Sequence, residues 1–180
     1  ASSKLNVSGD VTTTGTVRQG TGSTITANNL NMSSGDIVNL AGNNTFTGSG
    51  SITANKHIQF MGQQSFSGDL SMDAERMVFA SGSVSANNIN IGARNSDGNS
   101  VDGTFGLFAD ATVKAAHDLR IDTTDNEIAG AIEATNRIAV GGKAGDSGNF
   151  TLASGGSMKA GENIYLNLSN NTIQGEITAT

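Results

Sequence analysis

The sequence has no cysteine, no proline and no tryptophan, and charged residues make up only 14 % of it. Without cysteine there are no disulfides and no thiolate metal sites. Ten Lys and Arg stand against sixteen Asp and Glu, a net charge of −6, and no basic stripe exists to neutralise phosphates. Nucleic acid is not an expected partner. No apolar run approaches the roughly 20 residues that a spanning helix needs, so no membrane span is expected either. Aromatics are 4 % and hydrophobic residues 36 % of the chain, less than a globule with a bulky centre requires. A thin core, extended lengthwise, needs only small and β-branched residues.

What the chain has instead is Gly, Asn, Ser and Thr around short alternating apolar runs. Such a polar composition raises disorder as the first alternative, but the apolar residues are ordered, not scattered. Ile52-Thr53-Ala54 leads to Ile58-Gln59-Phe60, with the period of two that a strand with one buried face shows. The phrase recurs as Ile25-Thr26-Ala27 to Leu30-Asn31-Met32, Met72-Asp73-Ala74 to Met77-Val78-Phe79, and Val84-Ser85-Ala86 to Ile89-Asn90-Ile91. Further copies centre on Val113 to Ile121, Ile132 to Val140 and Met158 to Leu166, and another begins at Ile177-Thr178-Ala179. A second unit places Gly between two apolar residues, as in Val7-Ser8-Gly9-Asp10-Val11, Phe66-Ser67-Gly68-Asp69-Leu70, Ile128-Ala129-Gly130-Ala131-Ile132 and Ile173-Gln174-Gly175-Glu176-Ile177. Gly at that place predicts a corner or bulge. Polar clusters at Gly42-Asn43-Asn44, Gly62-Gln63-Gln64, Asp125-Asn126-Glu127 and Asn170-Asn171 read as turns.

The alanines at positions 27, 54, 74, 86, 115, 134, 160 and 179 set the period. Most of their spacings are near 20 or somewhat longer, and the odd pair at 74 and 86 predicts that one anchor sits on a different face. A period of about 20 residues with strands in every repeat means a solenoid. The predicted fold is all-β: one single-stranded parallel β-helix over residues 1–180, seven to nine coils, about 35–45 Å long at the strand spacing. The longer spacings place insertions at 94–103 and 141–149. An antiparallel sandwich does not repeat one local motif at coil spacing, and no blade signature supports a propeller. Expected inward residues are Ile25, Ala27, Ile52, Ala54, Ile58, Phe60, Met72, Val84, Ala86, Ile89, Ile132, Ala134, Ile138, Ile164, Leu166 and Ile177.

Segments such as Gly82-Ser83-Val84-Ser85-Ala86-Asn87-Asn88-Ile89-Asn90-Ile91 and Gly155-Gly156-Ser157-Met158-Lys159-Ala160-Gly161-Glu162-Asn163-Ile164 resemble the β-helical shafts of secreted bacterial adhesins, the filamentous-haemagglutinin-like proteins and autotransporter passenger domains. The resemblance covers nearly the whole chain and is one of composition and period. It implies a right-handed helix, export, and a role in attachment or extracellular matrix, with a cell-surface or matrix carbohydrate as a partner. The chain departs from those proteins in being far shorter and, having no Pro, in lacking the Asn-Pro secretion motif. Its start at Ala1-Ser2-Ser3 fits a mature protein after signal-peptide removal, or a segment of something longer.

Few residues are available for chemistry. His57 and His117 both follow an Ala anchor and are expected at equivalent corners, stacked across coils. Asp69, Asp73, Glu75, Asp118, Asp122 and Glu133 are spread along the repeats, often beside Lys or Arg, as on a solvated face. The oxygen-rich loop Asn95 to Asp102 alternates ligand atoms but lacks the Gly placement and terminal Glu of a calcium loop. Gly141 to Asp146 lacks the order of a phosphate loop, and Thr12-Thr13-Thr14 has no ladder of equivalents on other coils. No catalytic, metal or cofactor site is expected. A solenoid's ends, by contrast, offer unpaired backbone groups and a slice of core. The expected interaction residues are therefore Leu5, Val7 and Val11 at one end and Ile173, Ile177 and Ala179 at the other. A head-to-tail contact between these ends gives an open filament. The function expected is a secreted structural filament; a shaft segment of a longer adhesin and a carbohydrate-active β-helix enzyme are the alternatives.

Overall fold

Every strand pairing in the computed structural model, which describes residues 3–92, 103–141 and 146–180, is parallel. The described residues form 25 strands and no helix. The chain coils so that each turn contributes one strand to each of three sheets. Sheet A has nine strands, from Lys4–Asn6 to Glu176–Ala179; sheet B has eight, from Val11–Thr14 to Asn163–Leu166; sheet C has eight, from Val17–Gln19 to Leu168–Ile173. The result is a β-solenoid of about eight turns, roughly 40 Å long at about 4.8 Å per coil.

The coil length follows from the register of sheet A. The outward column Asn6, Thr26, Thr45, Ser65, Ser85, Lys114, Glu133, Lys159, Thr178 steps by 20, 19, 20, 20, 29, 19, 26 and 19 residues. The two long coils take up their extra residues at the same corner, between sheets B and C, after Gly92 and after Gly141. Most of both insertions, including all of 95–102 and 142–145, lies outside the described residues.

Each sheet points alternate residues inward, and equivalent residues of successive coils stack into columns. Of the sixteen expected inward positions twelve are buried, and Ile25, Ile164, Leu166 and Ile177 are partly buried, as their places near the ends dictate. Aromatic columns run along the core: Phe46 stacks on Phe66 with centroids 4.6 Å apart, and Phe60 on Phe79 at 5.2 Å. Parallel in-register stacking brings like side chains together at the strand spacing, so flat rings pack face over face.

Two readings of the sequence need correction here. Asp125-Asn126-Glu127 and Asn170-Asn171 are not turns but parts of sheet C strands. Nor are Asn44 and Gln64 turn residues; they lie in strands of sheet A with side chains buried in the core. They survive there because the ladder is complete. Gln19 and Asn44 exchange hydrogen bonds of 2.7 and 2.8 Å, Asn44 Nδ2 donates to Gln64 Oε1 at 2.7 Å, and Gln64 Nε2 donates to the Gly42 carbonyl at 2.8 Å. A buried amide costs little when both its donor and acceptor are used. The second correction concerns the anchors. Two of them, Ala54 and Ala74, sit at the B-to-C corner, whereas Ala27, Ala86, Ala115, Ala134, Ala160 and Ala179 form one column at the end of sheet A.

Phe46 and Phe66 occupy the two places missing from that alanine column. Where the column bulges, its neighbour shrinks. The first inward position of sheet B runs Leu30, Gly50, Leu70, Ile89, Leu119, Ile138, Ile164, and a Cβ on Gly50 would lie 2.5 Å from Phe66 Cε1 and 2.8 Å from Leu70 Cδ1. At the C-to-A corner glycine is required for a different reason. Gly82 has φ +84°, and its Cβ would meet the Gly62 carbonyl oxygen of the coil below at 2.1 Å.

Candidate interaction surface at the coil ends

The A-to-B corner carries a polar ladder that joins one coil to the next. The side-chain oxygen of Asp10 accepts the backbone N–H of Asn29 at 3.2 Å, Asn29 that of Ser49 at 2.7 Å, Ser49 that of Asp69 at 3.2 Å, and Asp69 that of Asn88 at 3.1 Å. Asn88 accepts from Asp118 and Asp118 from Arg137, at 3.2 and 3.3 Å. The residue after each acceptor completes a clamp by donating its own N–H to the same partner's carbonyl: Val11 to Asn29, Leu30 to Ser49, Gly50 to Asp69, Leu70 to Asn88 and Ile89 to Asp118. Short polar side chains are suited to this, since they reach a backbone N–H one strand away without burying a chain of methylenes.

The ladder has an electrostatic signature. The hydrogen bond from the Asn88 side chain, helped by those from Asn87 and the Asn88 backbone, holds the Asp69 carboxyl below the usual carboxylate range against the opposing effect of burial. The Arg137 guanidinium does the same for Asp118 through a 2.6 Å contact. A carboxylate with a depressed native pKa stabilises the fold above its unfolded pKa, about 3.9, and that contribution disappears as pH falls through the lower native value. His57 is shifted downward by burial and by the Arg76 cation, so its protonation below about pH 6.5 also opposes folding. The expected result is a melting temperature that declines modestly below pH 6.5 and steeply below about 4. An Asp69→Ala/Asp118→Ala variant should be less stable at pH 7 and lose part of the steep limb; an unchanged acid limb would count against the ladder.

The histidines are not stacked as expected. His57 opens a strand of sheet C and His117 lies exposed at the A-to-B corner three coils further on. The separation arises because their preceding alanines, Ala54 and Ala115, belong to different corners. The acids are likewise dispersed: Asp69 and Asp118 in the ladder, Glu133 against Lys114 at 3.3 Å, and Asp122 against Arg120 at 3.1 Å. No group of three or more His, Cys, Asp or Glu placed to hold a metal occurs among the described residues. Nor does any helix of the described chain have the length and apolarity to cross a membrane.

At the two ends the core columns come to the surface. On the first coil Leu5 is 47 % exposed, and Val7, Val11 and Val17 are partly buried against the core. On the last, Ile173 is 51 % exposed, Ile164, Leu166 and Ile177 are partly buried, and Ala179 is exposed. Leu5, Val7, Ile177 and Ala179 belong to sheet A or its corner, Val11 opens sheet B, and Ile173 closes sheet C. Val17, Ile164 and Leu166 complete the two faces. Each end strand is paired on one side only. Thr13 is an inward polar residue of the first coil, and its buried hydroxyl has no hydrogen-bond partner among the described residues. Replacing it by valine removes an unsatisfied group at constant shape, so Thr13→Val should raise stability by about 1 kcal/mol, measurable by thermal or urea unfolding.

Comparison of the chain with protein-family models, with curated proteins and with solved structures gives no match.

Proposed function

We propose that the protein is a secreted structural subunit that stacks end to end into an extracellular filament for matrix scaffolding or adhesion. The observation that carries the reading is the match between the two end faces. The stacked columns that build the core continue in register onto both, with Leu5, Val7 and Val11 at one end and Ile164, Ile177 and Ala179 at the other. Sheet A has one strand more than sheets B and C, so a second copy continues either the columns of sheet A or those of sheets B and C, pairs the end strands there and covers the exposed slices. Such a heterologous contact propagates without closure. The polar exterior, rich in Asn, Ser and Thr and nearly free of basic clusters, suits a fibre in an aqueous matrix.

A surface or matrix carbohydrate is the attachment target in this reading. Its support is a furrow on the outer face of sheet C, where Gly106 leaves space and Phe108, 53 % exposed, offers a ring face beside Glu127 and Thr151. Negative-stain electron microscopy of the purified 180-residue chain, over a range of concentrations, tests the filament. Uniform thin fibres whose length grows with concentration are the expected result. Dispersed rods about 40 Å long at every concentration would overturn it in favour of a shaft segment of a longer adhesin.

A further inference from the structure

On the sheet faces, Glu133 is matched by Lys114 at 3.3 Å and Asp122 by Arg120 at 3.1 Å. Glu127 has no such partner. It lies on the outer face of sheet C in the column Val78, Gly106, Glu127, Thr151, so its neighbours along the rod are a residue without a side chain and a threonine. The outward residue before it on the same strand is a second acid, Asp125, whose carboxylate accepts from the Asn149 amide at 2.6 Å. Among the described residues of this face the nearest cation is Arg76, two strands above and one outward position back. That is about 12 Å between Cα atoms, and the two make no ion pair.

An aromatic ring stands beside this carboxylate. Phe108 follows the strand Thr104–Leu107 and keeps its register, donating its N–H to the Phe79 carbonyl at 3.1 Å. The equivalent places on the coils above and below are Ala80 and Ala129, two small residues that leave the ring raised and 53 % exposed. Two residues before it comes Gly106, where nothing lies within 4 Å of an added Cβ. The missing side chain opens the furrow, about 340 Å³, between the ring, Glu127 and the hydroxyl-bearing Thr104 and Thr151. Glu127 and Phe108 lie on adjacent strands, one outward position apart, about 8 Å between Cα atoms. A ring face attracts a cation, and a carboxylate at that distance strengthens the attraction.

We propose that the furrow takes an amino sugar whose amine is free and protonated, one unit of a cationic polysaccharide; the inference rests on the carbohydrate reading of this furrow given above. The ammonium sits over Gly106, where it meets both the Phe108 ring and the Glu127 carboxylate. The C–H face of the sugar packs on the ring, and its hydroxyls meet those of Thr104 and Thr151. Arg76, at the far end of the furrow, donates to a hydroxyl of the adjoining unit. An N-acetylated sugar leaves Glu127 without a cation and sets a methyl group in its place. An acidic sugar meets Asp125 and Glu127 as like charges, on a chain whose net charge is −6. A lysine side chain supplies the cation but nothing for the two hydroxyls.

Isothermal titration calorimetry of the purified chain tests this with three probes, in buffer acidic enough to protonate the amines. They are a glucosamine hexamer with free amines, its N-acetylated counterpart, and hexalysine as a cation without hydroxyls. The free-amine sugar should bind tightest, with each of the others weaker by at least about tenfold. Glu127→Gln and Phe108→Ala should each weaken its binding by about tenfold. Glu162→Gln removes the same charge from an exposed place at the A-to-B corner and should leave binding unchanged. Equal binding of both sugars, lost in Phe108→Ala, would overturn the amine and leave the carbohydrate furrow standing. Hexalysine binding as tightly as the amino sugar, or equal effects of Glu127→Gln and Glu162→Gln, would overturn the inference in favour of general attraction to negative charge. No binding of either sugar to protein that is folded by circular dichroism would overturn the furrow reading and this inference with it.

Discussion

In the proposed filament, replacing Ile177 by glutamate is expected to stop growth while leaving the solenoid folded. Ile177 lies on the last strand of sheet A, stacked on Met158 and partly open to solvent, so in the single molecule a carboxylate there keeps contact with water. In a filament the same position is enclosed by the next molecule's sheet A, whichever strand of that molecule adjoins it. An unpaired carboxylate enclosed among Ile and Leu side chains costs about 3 kcal/mol or more. Since each 1.4 kcal/mol is a factor of ten, the critical concentration should rise at least about a hundredfold. Pelleting assays over a concentration series measure this directly. Ile177→Val, which keeps the side chain apolar, should assemble nearly as wild type. Thr180→Glu controls for charge alone, because its position is exposed beyond the strand. Fibres of the glutamate variant at the wild-type concentration would place the contact elsewhere on the molecule.

The second large effect lies inside the rod. Gly50→Leu introduces the residue that the same column carries at Leu30, Leu70 and Leu119, and it should nevertheless be strongly destabilising. The first added carbon already meets Phe66 and Leu70 well inside contact distance. Overfilling a packed core costs typically 1–3 kcal/mol and occasionally more; with no space for any of the four carbons, about 3 kcal/mol is expected here. For a chain of this size that lowers the melting temperature by roughly 6–12 °C. Phe66→Ala alone should cost about 3–5 kcal/mol through the cavity it leaves. Combined, the two substitutions restore the alanine-with-leucine composition of the other coils, so the double variant should be more stable than the sum predicts by at least about 2 kcal/mol. Strict additivity in thermal or denaturant melts would show that the two positions do not share the same space.

These two positions also mark where the sequence stops being sufficient. The period of two, the glycine corners and the spacing near 20 are local properties of the chain, and each repeats often enough to identify parallel coils and most of the core. All three corners, however, make the same local demands: a small residue, a polar bend and an apolar residue on either side. The phrase Ile52-Thr53-Ala54 to Phe60 crosses from sheet B to sheet C, whereas Ile25-Thr26-Ala27 to Met32 crosses from A to B. The glycine unit likewise serves the A-to-B corner at Gly68 and the C-to-A corner at Gly130 and Gly175. Similar words therefore stand at inequivalent places, and aligning them misassigned Ala74, Ala54 and the two histidines.

The sequence by itself determined that this chain coils into a parallel β-solenoid of about eight turns with a thin core, because alternation and period are written within each repeat. Only the tertiary structure decided which coil positions stack, and with that came the compensation of Phe66 by Gly50, the burial of Asn44 and Gln64, and the ladder from Asp10 to Arg137. The physical reason is that each of these depends on contacts between residues 16 to 30 positions apart, brought together by the stacking of the coils. Their partners are fixed by the register of the sheets and not by any neighbour in the chain.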